Sequence, residues 1–182
     1  MRVIAGTLRG RRLEAPDWEG LRPTSDRLRE TLFNILAPRI EGARVLDGYA
    51  GTGAVGIEAL SRGAAHVTFV EQDRRAIGLI ETNLRALGVT NRYAIIRAGF
   101  AGAARQLSER FQVIFLDPPY GAAQLGEAVS AATPLVTGDT LLVVEHAARD
   151  APPETTSLIR TRELKQGDSA LAFYECSRPH DQ

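Results

Sequence analysis

The sequence predicts a doubly wound α/β fold built on a mostly parallel sheet, and three observations predict it. Short apolar runs at 44–47, 66–71, 93–97, 112–117 and 140–145 alternate with longer helical patterns, the signature of βαβ units covered on both faces. The first run empties into a glycine-rich turn, as strands do where a parallel sheet meets a ligand. After Pro152-Pro153 the alternation stops, and two extended stretches flank Lys165-Gln166-Gly167-Asp168, which predicts an antiparallel C-terminal hairpin.

Taken in order, residues 1–15 place a Gly6 to Gly10 turn between short extended pieces, an N-terminal β-hairpin. Pro23-Thr24-Ser25-Asp26 then supplies a helix start, and Leu28, Leu32, Phe33, Ile35 and Leu36 recur on one helical face. Residues 1–40 therefore read as a hairpin-and-helix arm that extends the main domain, 41–178. Within that domain the helical patterns fall near 54–62, 73–87, 100–110 and 122–132. Thr155 to Arg162 and Ser169 to Cys176 form the closing hairpin.

Bulk composition narrows the class. Apolar residues make up 44% and charged residues 24% of the 182, as in an ordinary soluble domain with a real core. A single cysteine, Cys176, leaves no internal disulfide and suits a reducing compartment. The arginine-rich start has no long apolar run, so neither a secretory signal nor a membrane span is expected. The expectation is a cytoplasmic monomer. Basic and acidic residues balance at 22 each, which argues against a globally basic nucleic-acid binder. His66 and His146 have no partner at metal spacing and read as structural.

The glycine turn runs Asp47-Gly48-Tyr49-Ala50-Gly51-Thr52-Gly53-Ala54-Val55-Gly56. Its second half matches the dinucleotide pattern G-x-G-x-x-G, so a nicotinamide enzyme is one reading. Glu71 ends the second strand, where a carboxylate accepts from both hydroxyls of a ribose. Asp47 separates the ligands: it is a poor neighbour for a pyrophosphate and a good one for a cation. S-adenosylmethionine carries an ammonium and a sulfonium and no phosphate. The plainer alternative for Asp47 is a strand-end residue that caps the following helix.

At the end of the fourth strand stands Asp117-Pro118-Pro119-Tyr120. Two prolines end sheet pairing, since neither donates a backbone hydrogen bond. An exocyclic amine on a nucleobase is a poor nucleophile, because its lone pair is conjugated into the ring. Two acceptors, the Asp117 carboxylate and the Pro118 carbonyl, can grip its two N–H bonds and turn the lone pair toward a methyl donor. Pro119 offers no competing donor, and Tyr120 offers a face for stacking. The plainer alternative is a rigid turn with no chemical role.

With both motifs in place, the chain resembles class I S-adenosylmethionine-dependent methyltransferases of Rossmann-like fold, and more narrowly the RsmD family. The resemblance rests on Met1-Arg2-Val3-Ile4-Ala5-Gly6, on Arg22-Pro23-Thr24-Ser25-Asp26-Arg27-Leu28-Arg29-Glu30-Thr31-Leu32-Phe33-Asn34, on Gly56-Ile57-Glu58-Ala59-Leu60-Ser61-Arg62-Gly63-Ala64 and on Gly167-Asp168-Ser169-Ala170-Leu171. It implies methylation of a guanine N2 amine in 16S ribosomal RNA, within the small subunit or an assembly intermediate. It implies a donor held by Asp47, Tyr49, Gly51, Gly53, Glu71, Gln72, Ala98, Gly99 and Phe100. It implies catalysis at Asp117, Pro118, Pro119 and Tyr120, and RNA contacts from Arg9, Arg11, Arg12, Thr24 and Arg27.

Two departures from the family pattern carry expectations. Gly48 stands where the family has a bulky apolar residue, which predicts a looser donor turn. Ala98-Gly99 replaces a stretch that commonly ends in glycine-aspartate and would accept from the adenine amino group, which predicts donor binding weaker by about 1 kcal/mol. The rival readings are a DNA adenine-N6 or cytosine-N4 methyltransferase, a nicotinamide-dependent oxidoreductase, and a non-enzymatic RNA-binding protein. The first lacks room for a separate target-recognition domain, and the second leaves Asp117 to Tyr120 unexplained.

Overall fold

A computed structural model describes residues 1–21 and 24–177; Arg22, Pro23 and the domain end at 178 lie outside the described residues. Five strands run parallel: β1 (Arg44–Asp47), β2 (His66–Glu71), β3 (Tyr93–Arg97), β4 (Val113–Leu116) and β5 (Leu141–Ala147). β6 (Leu158–Gln166) and β7 (Ser169–Cys176) close the chain as an antiparallel hairpin, with β7 pairing antiparallel to β5. The order is β3-β2-β1-β4-β5-β7-β6. Chain direction along the sheet reverses between β1 and β4, and the crevice outside their carboxyl ends is where such sheets take ligands.

The central strands are buried on both faces, which is why they read as unbroken apolar runs. Period-two alternation divides them between two cores. Val45, Val67, Phe69, Val113, Phe115 and Val143 pack beneath α1 (Asp26–Ile40), α2 (Ala54–Ser61) and α3 (Arg74–Ala86). Leu46, Val70, Ile114, Leu116 and Val144 face the other way, toward α4 (Phe100–Ala104) and α5 (Ala122–Ala132).

Three expectations are corrected. The helix expected over 100–110 ends at Ala104, because the chain must turn to bury Phe111 and enter β4. The N-terminal hairpin is a single antiparallel bridge, Arg2 to Arg12, rather than a ladder. Three backbone bonds join its two sides: the Val3, Gly10 and Leu13 N–H groups donate to the Arg11, Val3 and Met1 carbonyls at 3.0, 2.8 and 3.0 Å. Helix α2 anchors it: Glu58 accepts from the Ile4 and Ala5 N–H groups at 2.8 and 2.9 Å, and the Ser61 hydroxyl accepts from Leu8 at 3.0 Å. Gly6 (φ +85°) lies so close that a Cβ there would meet the Ser61 carbonyl oxygen at 2.0 Å. On α1, the expected apolar face also buries Arg29, whose guanidinium reaches Asp26 at 2.9 Å and Glu58 at 3.8 Å.

Candidate active site

Four carboxylates share one face of the sheet at its carboxyl edge. Asp47 pairs with Phe69 and with Phe115, so Glu71 and Asp117, each two residues further along, point the same way as Asp47. Leu116 pairs with Val144, which brings the next residues, Asp117 and Glu145, side by side. Asp117 was expected at this edge; Glu145 was not singled out by sequence reasoning. Its signal was present, since the apolar run expected over 140–145 ends on it, although β5 itself continues to Ala147.

The glycine turn is built around Asp47. Gly53, at φ +77°, is the N-cap of α2 and has no side chain to cap with. Asp47, only 1% exposed, substitutes for it by accepting from the Gly56 N–H at 3.0 Å. The helix-capping alternative therefore holds, and Asp47 lines the cleft as well. Burial raises its pKa to about 7, against the opposing Gly56 hydrogen bond. Glu71 is equally anchored: one oxygen accepts from Gly51 at 2.8 Å, the other from Gln72 and Asp73 at 2.8 and 2.9 Å. A carboxylate has about four acceptor positions, so it retains capacity for a ribose hydroxyl. Asn83 ties this turn to the arm, donating to the Thr52 and Glu14 carbonyls and accepting from the Glu14 N–H.

Gly48 does not loosen the turn. A Cβ there would meet Leu116 Cδ2 at 2.4 Å and the Phe100 ring at 2.8 Å, so those two side chains already occupy the space. Phe100 also packs against Tyr49, with ring centroids 5.3 Å apart. Gln72, Ala98 and Gly99 line the cleft beside them.

Beyond β4, Pro118 is buried, while Pro119 and Tyr120 are exposed, Tyr120 by 53%. Asp117 is held well above the ordinary carboxylate range, first by burial and then by its neighbours Glu145 and Asp47. Burial lifts Glu145 too, with the Ser169 and Thr24 hydroxyls opposing it. The Thr24 contact is long, 3.4 Å.

All the expected donor and catalytic residues except Gly53 line one cleft of about 1130 Å³, together with Glu145; a Cβ on Gly53 would instead meet Ile80 at 3.1 Å. Seven of its lining residues are acidic, namely Glu19, Asp47, Glu71, Asp73, Asp117, Glu127 and Glu145; among those described, Arg75 alone is basic. Arg75 lies 5.1 Å over the Trp18 ring, and Trp18 lines the cleft rather than the core. Such a surface suits a cationic ligand and repels a polyphosphate. Its 1130 Å³ exceeds the usual ligand-pocket range, which reaches roughly 1,000 Å³. The glycine turn, the anchored Glu71 and the acidic wall fit S-adenosylmethionine; they do not fit a nicotinamide dinucleotide.

The expected RNA-binding residues separate. Thr24 reaches the cleft, and Arg27 is exposed in the first turn of α1. Arg9, Arg11 and Arg12 are exposed on the arm, whose Thr7 and Leu8 N–H groups bond to Ser61 at the end of α2 at 2.8 and 3.0 Å. Arg11 is tied there, donating to the Ala86 carbonyl at the end of α3 at 2.8 Å.

Comparison with known proteins adds the following. The family described as Conserved hypothetical protein 95 matches residues 1–175. The chain is 37% identical over 181 residues to Bacillus subtilis YlbH, covering 96% of this chain and 98% of that one. It is 43% identical over 130 residues to Ribosomal RNA small subunit methyltransferase D of Escherichia coli, covering 71% of this chain and 65% of that protein. The solved structure of Escherichia coli yhhF superimposes with a TM-score of 0.86 at 36% identity, covering 97% of each chain.

Proposed function

The chain belongs to the family described as Conserved hypothetical protein 95, the RsmD family, and from that premise we propose that it transfers a methyl group from S-adenosylmethionine to the N2 amine of a guanine in 16S ribosomal RNA. It is a ribosomal RNA methyltransferase on a Rossmann-like class I scaffold. The observation that carries the finer reading is Asp117-Pro118 at the sheet's switch point, facing an acidic cleft that also holds the glycine turn.

When bound, S-adenosylmethionine supplies an electrophilic methyl on a sulfonium. Gly51 lets the backbone approach it, Gly53 supplies the left-handed turn that starts α2, Glu71 offers its remaining acceptor capacity to the ribose, and Phe100 and Tyr49 wall the adenine side. Asp47 and its acidic neighbours favour the positive charge. On the acceptor side, the Asp117 carboxyl and the Pro118 carbonyl take the two N–H bonds of the amine and aim its lone pair. As the N–C bond formed and the C–S bond broke, leaving a neutral thioether, positive charge would grow on nitrogen; Asp117 would stabilise it and take up the departing proton on its way to solvent. Tyr120, exposed at the rim, stacks on the base, worth about 1–3 kcal/mol. The acceptor in this reading is 16S rRNA within a small subunit or an assembly intermediate. A cleft this acidic repels RNA, so the arginines must attract it from outside.

The test is labelled-methyl transfer to small subunits lacking the modification, with naked RNA alongside and the product base mapped. N2-methylguanine at one position, lost in Asp117→Ala, supports the reading. Label in DNA, or none in either RNA, refutes it.

A further inference from the structure

We propose that Glu145 is a specificity-determining residue that accepts the N1–H of the target guanine; this rests on the methyl-transfer reading above. Glu145 ends up beside Asp117 because β4 and β5 pair in register, and parallel neighbours lie about 4.8 Å apart. It is 5% exposed, yet it lines both the main cleft and the small recess bounded by Pro118, Pro119 and Tyr120. The Thr24 hydroxyl donates to it at a weak 3.4 Å, and the Ser169 hydroxyl also faces it. No step of the methyl transfer uses it.

The chemistry of the bases gives such an acid a use. Beside its exocyclic amine, guanine carries a ring N1–H, so three donors stand in a row. Asp117, the Pro118 carbonyl and Glu145 are three acceptors at one corner. Adenine and cytosine place a ring acceptor next to the amine, and a carboxylate there faces a lone pair. A carboxyl keeps an acceptor oxygen in either protonation state, so the match with N1–H holds; the discrimination is greatest with Glu145 ionised, when it has no donor for the ring nitrogen of adenine or cytosine. The same Asp117-Pro118 grip would serve any exocyclic amine; Glu145 restricts it to guanine.

The probe is 2-aminopurine, which keeps the 2-amino group but has an acceptor at N1. Once the modified guanine is mapped, RNA carrying guanine or 2-aminopurine at that one position is assembled into subunits and methylated by the full-length enzyme. The wild type should prefer guanine by about 100-fold in kcat/KM. Glu145→Gln, whose amide can turn a donor toward N1, should narrow the preference to about fivefold, with the KM for S-adenosylmethionine unchanged. Glu145→Asp retains the charge but retracts it, and should lower activity on guanine about tenfold while keeping the preference. Equal use of both bases by the wild type overturns the inference without any variant, as does an unaltered ratio in Glu145→Gln. Failure of the wild type on guanine itself would instead refute the underlying function.

Discussion

Two regions of this molecule bury acids, and they treat them in opposite ways. Under the N-terminal arm, Glu58 is fully buried and its oxygens are taken up by the Ile4 and Ala5 N–H groups and by Arg62 Nε at 2.8 Å, with Arg29 close by. At the carboxyl edge of the sheet, Asp47, Asp117 and Glu145 are crowded together, and none has an arginine or lysine within 4.0 Å among the described residues. A buried acid with all its partners ties the structure together. Acids without a cationic partner keep raised pKa values, through burial first and, for Asp117, through its neighbours Glu145 and Asp47 as well, and remain available to a ligand that brings donors or positive charge.

Substitution should split the two regions cleanly. Asp117→Ala should lower single-turnover methyl transfer by about 10³-fold, close to 4 kcal/mol. Its urea midpoint should hold or rise, because an unpaired buried acid is removed. Glu58→Ala should do the reverse, costing about 3 kcal/mol in urea denaturation by stranding Arg29 and the arm's N–H groups. Residual folded enzyme should turn over normally. If Asp117→Ala destabilises as much as Glu58→Ala, the contrast fails.

An effect of similar size tests the proton at Asp47. Its folded pKa of about 7 lies above the ordinary 3.8, so the folded state keeps a proton that the unfolded chain has released. That contribution is present at low pH and is lost as pH rises from about 4 through about 7. Asp47→Asn removes the slope, so it should gain on the wild type by about 4 kcal/mol across that window, read from urea curves at each pH. A constant difference would place the Asp47 pKa near normal.

A smaller effect is expected on the adenine side. Ala98→Asp should tighten donor binding by about 1 kcal/mol in calorimetry. Gly99→Asp should do slightly less, since its Cβ would meet Gln72 Oε1 at 3.1 Å and that side chain must shift. No tightening in either would show that the site holds adenine without an acid. The smallest changes belong to the arm: Arg9→Ala or Arg12→Ala should weaken RNA binding about twofold and reduce the salt slope by roughly one. Arg11→Ala, which also frees the end of α3, should show a stability loss that the other two lack.

Local chemistry made much of this legible. The bounds of β1, β2 and β3 follow from apolar runs ending in charged residues or glycine, and α5 from the span between Gly121 and Thr133. Asp117 to Tyr120 could be read because two prolines have few structural uses at a strand end. Other features were hidden. Glu58 and Ser61 look like ordinary helix residues until the arm is laid against them. Arg29 sits on an apparently apolar face, and its burial depends on Glu58, a residue on another helix. Gly48 read as a weakness only because Phe100, far along the chain, was not yet known to fill the space.

By itself, then, the sequence determined the alternation of strands and helices, the backbone freedom of the glycine turn, and the chemical character of the Asp-Pro-Pro-Tyr rim. Each depends on residues within a few positions of one another, where φ, donor count and side-chain period act directly. Only the tertiary structure decided that Glu145 stands beside Asp117, that Asp47 caps a helix while facing a cleft, and that the arm is anchored on α2. Those outcomes depend on strand register and helix packing, which join residues distant in the chain and are set by the burial of both cores at once.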